Sequence, residues 1–266
     1  MKIEGSTAVV TGASAGIGRQ IAVQLASRGA TVYAVARREE ELSALADAVG
    51  GIKALVADIT DAGDRDRIVR EPGEIDILVN NAGAGWAGAF EDMTPDDVER
   101  LVQLNLVAPV ELCRRIAPDM AARGRGHIVN MGSMLGFVPG PPLTLYSSIK
   151  AATDAFTQGL RREYNGRGVD VTLIAPGPVK GTEALQNSGD SEATDTLETL
   201  FELVGATAED VADAVIGAIE HPGRPGSRDI SVPRVAGLSR FAEVPGVSWG
   251  LDQAFSVMRK AGVKLK

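Results

Sequence analysis

Tyr146 and Lys150 stand four residues apart, with Ser147, Ser148 and Ile149 between them. On a helix that spacing puts a phenol and an ammonium on one face. A tyrosine with an ordinary pKa near ~10 is a poor base at neutral pH, and a neighbouring cation favours its phenolate. The chemistry such a pair can do is proton exchange with a substrate oxygen. Surface helices carry the same pair without any reaction, so its meaning rests on what the rest of the chain brings to it. Other reactive residues are few. Cys113, the single cysteine, reads as a small buried apolar residue on a helix and allows no intrachain disulfide. One cysteine and two separated histidines, His127 and His221, do not make a metal cluster. His127 precedes a strand and His221 ends a helix before Pro222, so capping or surface roles are expected for both.

The elements that must position this pair begin with an apolar run, Thr7 to Val10, closed by Thr11-Gly12-Ala13-Ser14-Ala15-Gly16-Ile17-Gly18. An amphipathic helix follows, with Ile21, Ala22 and Leu25 inward, and then a second buried strand, Thr31 to Ala36. Strand, glycine-rich turn, helix and strand in succession form a dinucleotide-binding βαβ unit. The glycines let backbone N–H groups approach a pyrophosphate, and the helix N-terminus turns its positive dipole toward it.

The end of the second strand bears on which dinucleotide binds. NAD users commonly place an acidic residue there for the ribose hydroxyls. Here the sequence reads Ala36-Arg37-Arg38, and a guanidinium matches a 2′-phosphate in charge and geometry. NADP is therefore expected over NAD; the alternative is that both arginines are solvated helix-start residues paired with Glu39 to Glu41. Further strands are expected at Lys53–Ala57, Ile75–Val79, His127–Met131, Val171–Ile174 and Asp229–Val232. Asp58, at the third strand's end, suits either an adenine amino group or a helix N-cap. Asn80-Asn81-Ala82-Gly83 closes the fourth on the side where such sheets bind ligands. A helix over Asp96 to Pro109, capped by Thr94-Pro95, carries Asn105 among leucines, where an amide is either solvated or buried with a partner. The alternation predicts an α/β fold: a doubly wound, mostly parallel sheet of seven strands with helices on both faces.

At 266 residues, with ordinary hydrophobic content, the chain suits one large domain. A net charge of −8 argues against nucleic acid as a partner. The early first strand leaves no room for a signal peptide and no apolar run spans a membrane, so a soluble, cytoplasmic protein is expected.

The glycine motif, Asp58, Asn80 to Gly83, Asn105, Ser133, Tyr146 with Lys150, and Pro176-Gly177 occur in the order and spacing of one family. Over residues 7 to about 180 the chain resembles the short-chain dehydrogenase/reductase (SDR) family. The resemblance implies a single Rossmann-type domain over residues 1–236, a nicotinamide cofactor and hydride transfer between an alcohol and a carbonyl. Carried over by position, Tyr146 is the general acid/base, and Lys150 holds the nicotinamide ribose and favours the phenolate. Ser133 bonds the substrate oxygen. Asn105 helps hold a water that passes protons to Lys150. Gly12, Ser14, Gly16, Ile17 and Gly18 form the phosphate turn, and Asp58, Asn81, Ala82 and Gly83 line the cofactor channel. Pro176, Gly177 and Val179 shape the nicotinamide pocket, and Arg37, helped by Ser14 and Arg38, takes the phosphate. Thr182 lies one position later than the family's usual threonine, which leaves its cofactor contact open. The family also implies a homodimer or homotetramer.

Residues 183–205, polar first and then amphipathic, read as a substrate lid or as an ordinary surface helix. Trp86, Phe90, Leu135, Phe137 and Leu143 can supply an apolar wall for a lipophilic carbonyl or alcohol, and core packing explains them equally. The extension 237–266 carries five basic and two acidic residues. Self-packing or subunit contact is expected for it ahead of a membrane surface. Two functional classes remain: an NADP(H)-dependent oxidoreductase, or a catalytically silent NADP(H)-binding regulator or scaffold with the same fold.

Overall fold

A computed structural model describes residues 1–181, 205–223, 226 and 228–233. Seven strands form one sheet: β1 Thr7–Thr11, β2 Thr31–Ala36, β3 Ile52–Val56, β4 Ile77–Asn80, β5 Gly126–Met131, β6 Val169–Pro176 and β7 Asp229–Val232. Their order is β3-β2-β1-β4-β5-β6-β7, and every neighbouring pair is parallel. The order reverses between β1 and β4, which opens a crevice at their carboxyl ends. The expected doubly wound fold is what the chain forms.

Successive strand residues serve opposite faces. Ala8 and Val10 of β1 face a core built with α1 Gly16–Ser27, α2 Glu39–Ala48 and α7 Ala208–Glu220. Val9 faces the other core, where Ile68 of α3 Ala62–Arg70 meets Leu112, Ile116 and Met120 of α5 Ala108–Arg123. Phe156 and Leu160 of α6 Thr144–Glu163 pack against that second core. Both faces are covered, so β1, β2 and β4 read as nearly continuous apolar runs.

Four local expectations are revised. His127 lies inside β5, fully buried, with Nε2 2.9 Å from the Thr172 hydroxyl; it neither caps nor meets solvent. Burial, with a contribution from the N-terminal ammonium, pushes its pKa down to about 3. β4 starts at Ile77 because the Asp76 carboxylate is taken by the Thr7 N–H at 3.0 Å and by Arg125. Asp61, not Asp58, caps α3, accepting from the Asp64 N–H at 2.8 Å. The helix capped by Thr94 ends as regular α-helix (α4, Pro95–Val102), becomes π-helical over Gln103–Val107 and resumes as α5. Pro109 enters at the start of α5, where the break in the i→i−4 ladder makes its missing N–H cheap. His221 does end α7, and Cys113 is buried, its thiol pushed up to about 12 by burial.

The proposed lid at 183–205 falls almost wholly outside the described residues, as do Thr182 and the extension 237–266. Among the described residues no helix is long and apolar enough to cross a membrane.

Candidate active site

The carboxyl end of the sheet collects the residues singled out from the sequence. The turn after β1 uses its glycines differently. A Cβ on Gly12 would stand 2.9 Å from the Ala82 Cα, and one on Gly18 2.3 Å from the Gly12 carbonyl oxygen. Those two positions allow the loop after β4 to lie directly on the turn. Gly16, with φ +52°, has open space where its Cβ would be. The N-terminus of α1 carries no side-chain cap and no acidic residue in its first turn, whereas α3, α4 and α7 are each capped by a side chain. Free N–H groups, a helix dipole and open space at Gly16 fit a pyrophosphate. Ile17 packs against the α1 core.

Thr11, noticed in the sequence only as part of the glycine motif, ties the turn to the next loop. Its hydroxyl accepts from the N–H groups of Asn81 and Ala82, each at 3.0 Å, and the Asn81 side-chain amide donates to the Thr11 carbonyl at 2.9 Å. The β4–β5 register, continued one step, would send the Ala82 N–H to the Met131 carbonyl. Thr11 takes that N–H instead, and the Lys150 ammonium donates to the Met131 carbonyl at 2.9 Å. The end of one ladder thus becomes the seat of the lysine. Asn80 turns away from this crevice: its side chain is buried and donates to Asn130 at 2.9 Å.

Ser133 follows β5 and caps a 3₁₀ turn, Met134–Gly136, with its hydroxyl accepting from the Leu135 N–H at 3.2 Å. The same hydroxyl stands close enough to the Tyr146 phenol to favour its phenolate. Tyr146 is half-buried and Lys150 buried, and the Lys150 ammonium lies 5.5 Å from the centre of the Tyr146 ring. Burial pushes the phenol up to about 12, against the pull of Ser133, and burial brings Lys150 down to about 8. In the ligand-free chain the phenol is therefore protonated at neutral pH. The ammonium expected to favour the phenolate instead donates to a backbone carbonyl.

Asn105 is buried in the π-helical stretch. Its amide nitrogen donates to the carbonyls of Ala84 and Leu101, each at 3.0 Å, and its oxygen accepts from the Ala84 N–H at 3.3 Å. A Cβ on Gly83 would stand 2.6 Å from that oxygen, so Gly83 and Asn105 fit only as a pair. The contacts of Asn105 hold the loop after β4.

The arginines at the end of β2 diverge. Arg38 donates to the Ser14 hydroxyl at 3.1 Å, joining strand end to glycine turn. Arg37, largely exposed, lies 3.6 Å from the Asp58 carboxylate. Burial alone would raise Asp58, but two hydrogen bonds from Thr60 and the Arg37 charge hold it below the ordinary value. Farther along the edge, Pro176 ends β6, the Gly177 N–H donates to the Val232 carbonyl at 2.7 Å, and Val179 bridges Ala206. Of the apolar candidates, Leu135 and Leu143 pack with Tyr146, beside Ala87. Trp86 packs instead with Leu101 and Ile149, Phe137 with Leu173 and Ala175, and Phe90 is 63% exposed.

A parallel doubly wound sheet with a glycine turn at its switch point and a Ser–Tyr–Lys group at its carboxyl edge defines a dinucleotide-binding oxidoreductase scaffold. Residues 6–193 match the short chain dehydrogenase family, and the chain belongs to it. It is 31% identical over 236 residues to an uncharacterized oxidoreductase of Staphylococcus epidermidis, covering 87% of this chain and 98% of that protein. It is 33% identical over 228 residues to the ketoacyl reductase HetN of a Nostoc species, covering 82% and 77%. A short-chain dehydrogenase from Sphingobium yanoikuyae, solved in complex with NADPH, superposes with TM-score 0.76 at 30% identity, covering 93% of this chain and 95% of that one.

Proposed function

We propose that the chain is an NADP(H)-dependent oxidoreductase that interconverts a carbonyl and an alcohol on a small or medium lipophilic substrate. The observation that carries this is the meeting of Ser133, Tyr146 and Lys150 at the carboxyl end of β5, beside the uncapped α1 turn. The bound nicotinamide supplies or accepts the hydride. In the reducing direction the Tyr146 phenol gives its proton to the substrate oxygen, and the Ser133 hydroxyl donates a hydrogen bond to the same oxygen. Lys150 holds the nicotinamide ribose and lowers the cost of the phenolate that Tyr146 becomes. Asn105 secures the adjoining loop and helps hold a water that returns protons toward Lys150.

Arg37, Arg38 and Ser14 take the 2′-phosphate, Asp58 the adenine, and Asn81, Ala82 and Gly83 line the channel. Pro176, Gly177 and Val179 form the nicotinamide pocket. Two guanidinium groups with no carboxylate at the end of β2 favour NADP(H), as does the NADPH-bound neighbour. Leu135 and Leu143 beside Tyr146 favour an apolar group next to the reacting carbon, in keeping with the ketoacyl reductase among the relatives. A homodimer or homotetramer in the cytoplasm is the expected working form, with residues 1–236 as the catalytic domain, 183–205 as its lid and 237–266 as an extension.

Purified full-length chain, assayed with NADPH and with NADH against aliphatic and aryl ketones and aldehydes, tests the proposal. Consumption of NADPH in preference to NADH is expected. Tight NADPH binding without turnover on any carbonyl would identify a silent binder and overturn it.

A further inference from the structure

The 3₁₀ turn after Ser133 rests on backbone. A Cβ built on Gly136 would lie 2.8 Å from the carbonyl carbon of Lys150 and 3.0 Å from the Ala151 nitrogen. No real Cβ sits that close, and the obstacle is the main chain of a 20-residue helix, with no flexible side-chain tip to yield. The Gly136 φ is not left-handed, so space alone requires glycine here. At the other end of the turn the Gly136 N–H donates to the Ser133 carbonyl at 3.0 Å, and the Leu135 N–H to the Ser133 hydroxyl. The turn is thus a short rigid spacer. Ser133 stands at one end, and α6 touches the other at the residue that is itself Lys150, one helical turn after Tyr146.

We infer that Gly136 is a positioning residue that sets the separation between the Ser133 hydroxyl and the Tyr146 phenol by seating the turn on the α6 backbone at Lys150. The inference rests on the proposed roles of Ser133 and Tyr146. An added methyl lifts the turn from the helix and draws the Ser133 hydroxyl away from the phenol. A misplacement of about 1 Å in such a group costs up to ~100-fold in rate. The phenol also loses the nearby hydroxyl that opposes its upward shift.

Gly136→Ala, Ser133→Ala and the double variant are compared in full-length protein. Gly136→Ala is expected to lower kcat by roughly 10- to 100-fold, with the NADPH Kd within about twofold of the parent. Adding it to Ser133→Ala should cost less than about threefold more, because the hydroxyl it positions is already gone. In ligand-free protein, ultraviolet titration of the Tyr146 phenolate, taken as the difference from Tyr146→Phe, should move to higher pH in Gly136→Ala as it does in Ser133→Ala. Met134→Ala, which keeps the backbone contact and does not pack on Tyr146, should leave that titration in place and stands in if Gly136→Ala does not fold. Losses that multiply in the double variant, an unmoved titration in Gly136→Ala, or a titration that Met134→Ala shifts as far as Ser133→Ala would each overturn the inference. An active Tyr146→Phe would instead overturn the reaction on which it rests.

Discussion

The two ends of the sheet are built to opposite rules. At the amino end, polar groups are buried and closely paired: Asp76 is 4% exposed and receives the Thr7 N–H and the Arg125 guanidinium, with Arg123 3.8 Å away. His127 Nε2 lies 2.9 Å from the Thr172 hydroxyl nearby, while its Nδ1 is buried without a partner. At the carboxyl end, groups of similar polarity are left with few partners: the Lys150 ammonium donates to one carbonyl, and α1 begins without a side-chain cap. A paired polar group contributes stability, and a sparsely paired one is available to a ligand. The fold keeps the two uses about one strand length apart.

Substitutions at the two ends should therefore separate turnover from stability. Tyr146→Phe is expected to lower kcat by at least about 1000-fold while the NADPH Kd and the melting temperature change little, since only a hydroxyl is removed. Retained turnover in a steady-state assay would break the division at its chemical end. Asp76→Ala should destabilise the chain by about 1–3 kcal/mol in a urea titration, because it leaves the Thr7 N–H without its acceptor and removes the carboxylate that Arg125 pairs with. Its kcat per folded molecule should stay within about twofold, and a large loss of kcat would show that the amino end is not merely structural.

His127 sharpens the same contrast through pH. Its folded pKa of about 3 lies below the ordinary 6.5, so between those values the unfolded chain binds more protons. Its contribution to stability is complete above pH 6.5 and is lost as pH falls toward 3. His127→Gln, which does not titrate, should lose about 2–3 kcal/mol less than the parent between pH 6.5 and 4.5. Parallel stability curves for the two proteins over that range would contradict it. The smallest effect is expected at the cofactor edge, where Arg37→Ala should weaken NADPH by about 10-fold and NADH by less than twofold. Equal losses measured by titration calorimetry would remove Arg37 from phosphate recognition.

Much of this division was legible in the sequence. Apolar runs mark strands covered on both faces, and Thr94-Pro95 announces a capped helix start that the structure forms with a full capping box. The glycine spacing, with Tyr146 and Lys150, pointed to the carboxyl edge. What escaped were contacts made across long sequence separations. His127 reads as a strand boundary because its partner, Thr172, is 45 residues away. Arg38 was expected near the phosphate beside Ser14, but the direct bond between the two, across 24 residues, has no local signature. Thr11 reaches Ala82 across 71 residues, so its part in ending β4 has no local signature. Asn105 was visible as a polar residue among leucines, but the π-helical register that turns it toward Ala84 was not.

The bridge between Val179 and Ala206 has a consequence for how readily this chain can be re-engineered. The Lys180 N–H donates to the Ala206 carbonyl at 2.9 Å and the Ala206 N–H to the Pro178 carbonyl at 2.9 Å, so one clasp ties the chain at Pro178–Lys180 to the chain at Ala206. With the ends already joined, the scaffold places little demand on the number of residues between them; doubling a loop's length adds only ~0.6 kcal/mol in closure entropy.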